Sequence, residues 1–559
     1  RIGQNAAYRP TQGTVEYLMP EDQTPISKSF LIKTTLLLVV LGILPFWIAW
    51  KTTPQGMEFS GALVNPDDMS IYLSAVRQGR EGELLFHFNS SPETIAPRIT
   101  HATYMAVGFI GRLTGLSNIL LFHIYRILAG VFSFASVYYL CRRLFPSKEK
   151  LQYAALLFLT FSSGIGWLLS FLVTWGNPLL ADLNVPEWNF ISALLSAPHF
   201  IFAVGLEVLI INLLVQIDEK GQTSKLLAAG FLTSTLLGLA YAFHNLTLLT
   251  IAFAFLAVSG IQRKSIPWKT AASFGVVLFP QIAFLIYYGL ATITDGAWSA
   301  SHIQNNLITP PPPLGIMAGL GILAILALLG VRPWLRSDRS MLILVWAAAN
   351  LLMIYLPLPF SGRFILGLFV PVSMLAAAGL EESFLPRIKS SGFYQSFSKM
   401  TPTPQETLRR MIILLTIPST LLFLLWTVRS AILVKDFPNY YDIQEIKAAE
   451  FLAGRASKED IILAHYPIGN YLPRITPAKV FLGHLNLTLD LDDKMALLEK
   501  FWDADTSNAW REAFVEKWEI NYIYSGSAEK LLQSQPVQLP FPIIYNKNEI
   551  IIYDTGLDH

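Results

Sequence analysis

The sequence predicts a polytopic α-helical membrane protein carrying a small α/β domain on its outer face. Three observations predict this class. The chain is 53% hydrophobic and only 14% charged over 559 residues, with a mean hydropathy of +0.46, too little charge for a soluble protein of this size. Apolar runs long enough to cross a hydrocarbon core recur from residue 31 to residue 432. Beyond Val434 the composition turns to that of a soluble domain.

The spans read in order as 31–50, 118–141, 151–173, 192–215, 270–293, 315–331, 340–357, 364–380 and 411–432. Residues 226–260 are too long for one crossing and read as two short spans meeting at His244-Asn245. That gives about eleven transmembrane helices for a core of about 30 Å. The first run follows Lys28 and Lys33 and lacks a small-residue cleavage pattern after Trp50, so it reads as a retained anchor.

Charge sets the orientation. The connections 142–150, 216–225, 261–269, 332–339 and 381–410 hold seventeen Lys and Arg, whereas 174–190, 242–246 and 294–314 hold none. By the positive-inside rule the former are cytoplasmic. The N-terminal segment 1–30 is then inside, and residues 51–117 and 433–559 are outside. The membrane domain runs over 31–432.

Within the outer segment 51–117, Met69 to Gly79 reads as a helix, and His101 to Gly115 as an interfacial helix lying on the membrane. The loop after Thr294 passes Trp298, His302 and Asn305-Asn306 to Pro310–Pro313, a shape suited to a substrate lid. In the tail, helices are expected at Glu445–Gly454, Asp493–Trp502 and Ala509–Trp518. Strands are expected at Ile461–Ala464, Val480–Gly483 and Tyr522–Ser525, with a hairpin over Pro542–Asp554 turning on Asn546-Lys547-Asn548.

Some functions are disfavoured at once. A net charge of +2 argues against a nucleic-acid partner, and a single cysteine, Cys141, excludes an intramolecular disulfide and a cysteine-based metal cluster. No nucleotide fingerprint, Walker loop or GxSxG elbow occurs. No internal repeat is visible, which weakens a transporter reading, although Glu207 lies mid-span.

The run Asn65-Pro66-Asp67-Asp68-Met69-Ser70-Ile71-Tyr72 carries the chemistry. Two adjacent carboxylates at the outer mouth of a membrane helix suit a general base or a cation ligand. Helix capping is the plain alternative, and one acid suffices for a cap. Arg363, in Ser361-Gly362-Arg363, either snorkels to the interface or clamps a lipid phosphate. His199, His244, Asn245 and His302 also fall at outer helix ends and are candidate substrate contacts, with His101 a weaker one. Asp67, Asp68 and His199 together are candidate ligands for Mg2+ or Mn2+, though no HxxH or HExxH spacing supports a metal site.

This arrangement resembles the GT-C superfamily of integral-membrane glycosyltransferases, among them protein O-mannosyltransferases and lipid A aminoarabinose transferases. The features that carry the resemblance are the acidic pair Asp67-Asp68 after the first helix, the long first outer loop and the interfacial helix. A second span with Arg126 and Tyr138–Phe145 and an outward C-terminal domain complete it. Asn65–Ser74, Gly469-Asn470-Tyr471-Leu472-Pro473 and Gly483-His484 liken it more narrowly to uncharacterised bacterial members. The pair is Asp-Asp here, where many members carry a mixed Asp/Glu pair. The resemblance implies transfer of a sugar from a polyprenyl-phosphate donor to an acceptor hydroxyl, with inversion, on the outer face of a bacterial inner membrane. The acceptor would be a protein, a glycan or a lipid. A non-catalytic subunit of the same fold, assembling through its outer domain, is the alternative.

Overall fold

The computed structural model describes residues 26–557. The expected cytoplasmic segment 1–30 lies outside the described residues apart from 26–30. The chain is a multi-pass helical membrane protein with a sheet-containing C-terminal domain. Among the described residues, seven helical segments are long and apolar enough to cross a membrane, or nine if two bent pairs each count as one. Two further apolar helices, Ser224–Ala240 and Leu342–Met353, are shorter.

The expected runs 315–331 and 411–432 are therefore not straight spans. Pro313–Leu320 and Ile322–Leu335 meet at 86°, around Gly321, which turns the chain with φ +51°. Pro404–Leu415 and Pro418–Leu433 meet at 41°, because Pro418 cannot continue the helix before it. The break in 226–260 falls at Tyr241-Ala242, just ahead of His244.

The membrane core is built from close helix pairs. Asn118–Leu144 packs on Pro198–Lys220, Ser224–Ala240 on Trp268–Thr294, and Lys28–Lys51 on Pro418–Leu433. Outside it, Met69–Glu81 crosses Ala102–Thr114 at very short range. A Cβ on Gly79 would lie 2.0 Å from the Met105 carbonyl, and one on Gly108 1.9 Å from that of Val76. Only glycine permits this approach. Ala102–Thr114 leaves Phe109, Ile110 and Leu113 exposed on its other face, as an interfacial helix requires.

The tail is a mixed α/β domain. Strand β1 (Met57–Phe59), from the first outer loop, pairs antiparallel with β2 (Tyr440–Asp442) at the start of the tail. The main sheet comprises β3 (Ile461–Leu463), β4 (Lys479–Val480), β5 (Ile520–Ser525), β6 (Ile543–Lys547) and β7 (Ile550–Asp554) in the order β4-β3-β5-β7-β6. β4, β3 and β5 are parallel, whereas β7 and β6 run antiparallel. Apolar clusters cover both faces.

Two details differ from expectation. The hairpin turns on Asn548-Glu549, later than the predicted Asn546-Lys547-Asn548. Lys547 faces Ile550, and both turn residues have positive φ, the geometry of a two-residue primed turn. The strand expected at Val480–Gly483 is Lys479–Val480, at the sheet edge, where the outward Val480 N–H bonds the Asn89 carbonyl of the outer loop.

The tail is fastened to the outer helix. Arg474 bonds Ser70 Oγ at 2.9 Å and the Ser60 carbonyl at 3.0 Å, and Arg77 bonds the Pro473 carbonyl at 3.2 Å. Residues more than 390 positions apart in sequence thereby meet over the Asp67-Asp68 turn.

Candidate functional site

Asp67 and Asp68 lie in a single 3-10 turn, Pro66–Asp68, that runs directly into Met69–Glu81. Asn65 enters it in the left-handed region, φ +49°, which asparagine tolerates. The capping alternative does not hold: Asp68 stands at the N-cap position yet makes no side-chain cap bond. Both carboxylates bond the tail instead, and Asp68 Oδ2 also accepts from the Tyr72 hydroxyl at 3.4 Å. Tyr466 donates to Asp67 Oδ1 at 2.6 Å, and His484 Nε2 lies 3.1 Å from Asp68 Oδ1.

The tail presents these two partners through the runs noted in the sequence. Tyr466–Tyr471 is a short helix whose Gly469 sits against the Leu482 carbonyl, 1.9 Å from where a Cβ would be. That contact sets the helix beside the segment carrying His484. The Asn486 N–H donates to His484 Nδ1 at 3.2 Å. Nδ1 is therefore the acceptor, which leaves the proton on Nε2, facing Asp68. A further bond, from Gly483 N–H to Thr488 Oγ1, ties the same turn.

Asp68 opens onto a cavity of about 540 Å³ lined also by Asp67, His101, Glu187, His199, His302 and Arg363. Burial tends to raise the Asp68 pKa, but the His484 hydrogen bond and charge, with Arg363 and His199 behind it, outweigh burial and hold the carboxyl below its usual value. It is thus a carboxylate at neutral pH. Its side chain keeps 28% of its surface open. Burial pushes His101 and His302 down to about 4, so both are neutral. Burial and then Asp67 raise the Tyr466 hydroxyl, which remains a donor.

The rest of the lining comes from the outer helices and connections and from the ends of membrane helices. Arg363 donates to Glu187 Oε1 at 2.6 Å, while its Nε is buried without a hydrogen-bond partner. His199 accepts or donates through Nδ1 with the Tyr104 hydroxyl at 2.7 Å. Tyr104 in turn stacks on Tyr72 at 4.7 Å and 10°. His302 stacks on the buried Trp298 at 4.5 Å and 10°.

Of the residues singled out in the sequence, Asp67, Asp68, His199, His302 and Arg363 meet around this cavity. His244 and Asn245 are buried and do not line it. His244 Nδ1 lies 3.3 Å from Glu207 Oε2, both side chains fully enclosed, so His244 packs within the bundle. Glu187, Tyr466 and Tyr104 were not anticipated. Counting only basic residues in the outer connections hid Glu187, although it is one of just two acids in 174–190.

The expected metal ligands do not fit together. Among the described residues no three His, Cys, Asp or Glu side chains could hold a metal ion. Their side chains are directed to separate partners instead: Asp67 to Tyr466, Asp68 to His484 and Tyr72, and His199 to Tyr104. No step is therefore derived through Mg2+ or Mn2+.

No family model and no curated protein matches the chain in sequence. Solved structures do match it in fold. The Archaeoglobus fulgidus oligosaccharyltransferase, tethered with an acceptor peptide, superposes with a TM-score of 0.52 at 12% identity, over 89% of this chain and 69% of that one. The same organism's AglB, in complex with an inhibitory peptide and a dolichol-phosphate, gives a TM-score of 0.51 at 12% identity over the same shares. At this identity the likeness is one of fold.

Proposed function

We propose that the chain is a membrane glycosyltransferase that moves a sugar from a polyprenyl-phosphate donor to an acceptor hydroxyl, with inversion, using Asp68 as the base. The observation that carries this reading is the Asp68 carboxylate, held on Oδ1 by His484 and more loosely on Oδ2 by the Tyr72 hydroxyl at 3.4 Å, lining a cavity that Arg363 also lines. The fold likeness to an oligosaccharyltransferase, seen in one structure with a dolichol-phosphate, supports the same class.

In this mechanism the acceptor oxygen forms its bond to the anomeric carbon as the carbon–oxygen bond to the lipid phosphate breaks. The acceptor proton passes to the Asp68 oxygen that faces the cavity. The negative charge released on the phosphate is met by Arg363, whose Nε is unbonded and whose Glu187 bond fixes its plane. Asp67, bonded to Tyr466, anchors the turn and leaves the proton transfer to its neighbour. His199 and His302, neither of them a base in this scheme, shape the sugar pocket.

Access from lipid fits the same reading. Ser224–Ala240 has 17 residues and so spans roughly 25 Å at 1.5 Å per residue, short of a core of about 30 Å. Its end, Gly238–Ala240, lines the cavity. A helix that stops below the outer boundary leaves a path for a lipid-linked donor. Counting this helix and Leu342–Met353 as crossings restores eleven, with the N-terminus inside and the tail outside. By resemblance the membrane is a bacterial inner membrane.

The test is transfer from a lipid-phosphate-linked sugar in membranes. Asp68→Asn lowers it by about 10²–10⁴-fold, and Asp67→Asn lowers it less. Full activity in both variants removes the acidic pair as the base, whereas absence of transfer in the wild type returns the chain to the reading of a non-catalytic subunit.

A further inference from the structure

The segment Ser361–Ile388 begins beside the outer cavity at Arg363 and runs through the membrane domain to Arg387. There it borders a second cavity, of about 530 Å³, at the opposite end of the fold. This one is lined by Lys148, Arg332, Arg336, Arg339 and Arg387, with a single acid, Glu382. Glu382 is already engaged: Arg339 donates two bonds to it, at 2.8 and 2.6 Å, and Lys148 a third at 2.8 Å. Arg339 is further held over the rings of Phe145 and Trp334. Arg332, Arg336 and Arg387 have no ion-pair partner among the described residues. The cavity thus carries unbalanced positive charge on a wall that the Glu382 bonds hold in place.

What leads into it decides the ligand. On Ile322–Leu335, Ile325 and Leu328 are 62% and 74% exposed. Positions 325, 328, 332 and 336 follow one another at helical spacing, so they form one stripe. The stripe is apolar toward the membrane centre and turns basic at the cavity. A free phosphate would have no use for the apolar half. We propose that this cavity binds the phosphate headgroup of an anionic membrane phospholipid, with its acyl chains along Ile325 and Leu328. Basic pockets between helices on the cytoplasmic side are the expected seat of such headgroups, and a guanidinium pair suits a phosphodiester better than a single ammonium does.

The test uses the full chain in nanodiscs of phosphatidylcholine and phosphatidylglycerol in equal parts, with retained lipid read by native mass spectrometry. The wild type keeps phosphatidylglycerol over phosphatidylcholine by about tenfold or more, given the attraction each basic residue adds. The Arg332→Gln/Arg336→Gln/Arg387→Gln variant loses that preference. A control, Lys220→Gln/Lys225→Gln/Lys264→Gln, removes the same charge elsewhere on this face and retains it. Equal loss in both variants overturns the proposal, because general surface charge then suffices. Displacement of the retained lipid by excess inorganic phosphate overturns it too, in favour of a soluble anion. If the triple variant fails to fold, Arg336→Gln alone, whose side chain makes no hydrogen bond or ion pair among the described residues, gives a severalfold loss, and an unchanged preference there is also fatal.

Discussion

Of the three carboxylate–histidine pairs among the described residues, Glu83–His87 joins neighbouring turns at the surface, and the other two face different surroundings. Asp68 and His484 meet at 3.1 Å beside the outer cavity, with Asp68 28% open. Glu207 and His244 meet at 3.3 Å with neither side chain exposed at all. The chemistry of the two pairs is nearly the same, so composition cannot rank them. Access does. A base needs an oxygen that a substrate can reach, and of these two carboxyls only Asp68 is exposed to a cavity. Glu207 and His244 belong to the packing between Pro198–Lys220 and Phe243–Arg263, which explains why a mid-span acid need not imply transport.

The largest effect separates the pairs directly. Asp68→Asn keeps the shape and removes the base, and lowers transfer by about 10²–10⁴-fold. Glu207→Gln leaves the rate within about threefold, since the enclosed pair contributes no transition-state contact. A matching loss in the Glu207 variant breaks the comparison, because the enclosed pair would then belong to the reaction. Stability reverses the ranking. His244→Ala empties the space beside the enclosed Glu207, with which it makes no hydrogen bond, and costs ~2–5 kcal/mol of unfolding free energy. The Glu207→Leu/His244→Leu double variant costs much less than the sum of the singles, as burial of matched apolar groups predicts. A denaturation series in detergent measures both.

A smaller effect concerns how His484 serves Asp68. Because Asn486 takes Nδ1, the bond to Asp68 comes from Nε2. Glutamine places an N–H where Nε2 was, and asparagine places it nearer Nδ1. His484→Gln therefore retains most activity, whereas His484→Asn loses about tenfold, the scale of one charge-assisted bond. The loss falls on kcat, since the carboxylate is misaimed and substrate contacts remain. Equal activity in the two variants removes the positioning role and leaves Asp68 itself untouched.

The sequence carried the membrane class, the outer acidic pair and most elements of the tail, because hydropathy and turn chemistry are local. It carried less of what depends on long-range approach. The 86° bend at Gly321 was hidden inside an unbroken apolar run, since glycine alone does not announce a turn. His484 was visible as part of Gly483-His484, but a strand ending in turn residues gives no sign of a partner 416 positions away. His199 and His244 looked equivalent, each after a helix break. They part because His199 stands in the first turn of Pro198–Lys220, at the cavity, whereas His244 turns inward to Glu207. Glu187 shows the converse: the acid that pairs Arg363 lies in a connection read only for its lack of cations.

The smallest effect extends the comparison to pH and comes from the neutral histidines around Asp68. His101 and His302 hold pKa values of about 4 in the folded protein against 6.5 when unfolded. As pH falls from 6.5 toward 4, the unfolded chain takes up protons that the folded chain does not, so stability declines across that window. Asp68 acts lower down: its depressed carboxyl stabilises the fold above the ordinary value of 3.8, and that contribution is lost as pH falls through the folded value. Glu529, pushed up to about 7 by burial, has the opposite slope, since the folded chain holds its proton between 4.5 and 7. Thermal unfolding measured from pH 7.5 to pH 5 should show a drop of about a few degrees in the wild type. Glu529→Gln steepens it by removing the opposing term. His101→Asn/His302→Gln flattens it, the asparagine being able to keep the left-handed backbone that residue 101 adopts. A drop that persists unchanged in the double variant places the acid sensitivity elsewhere and leaves the cavity histidines without a part in it.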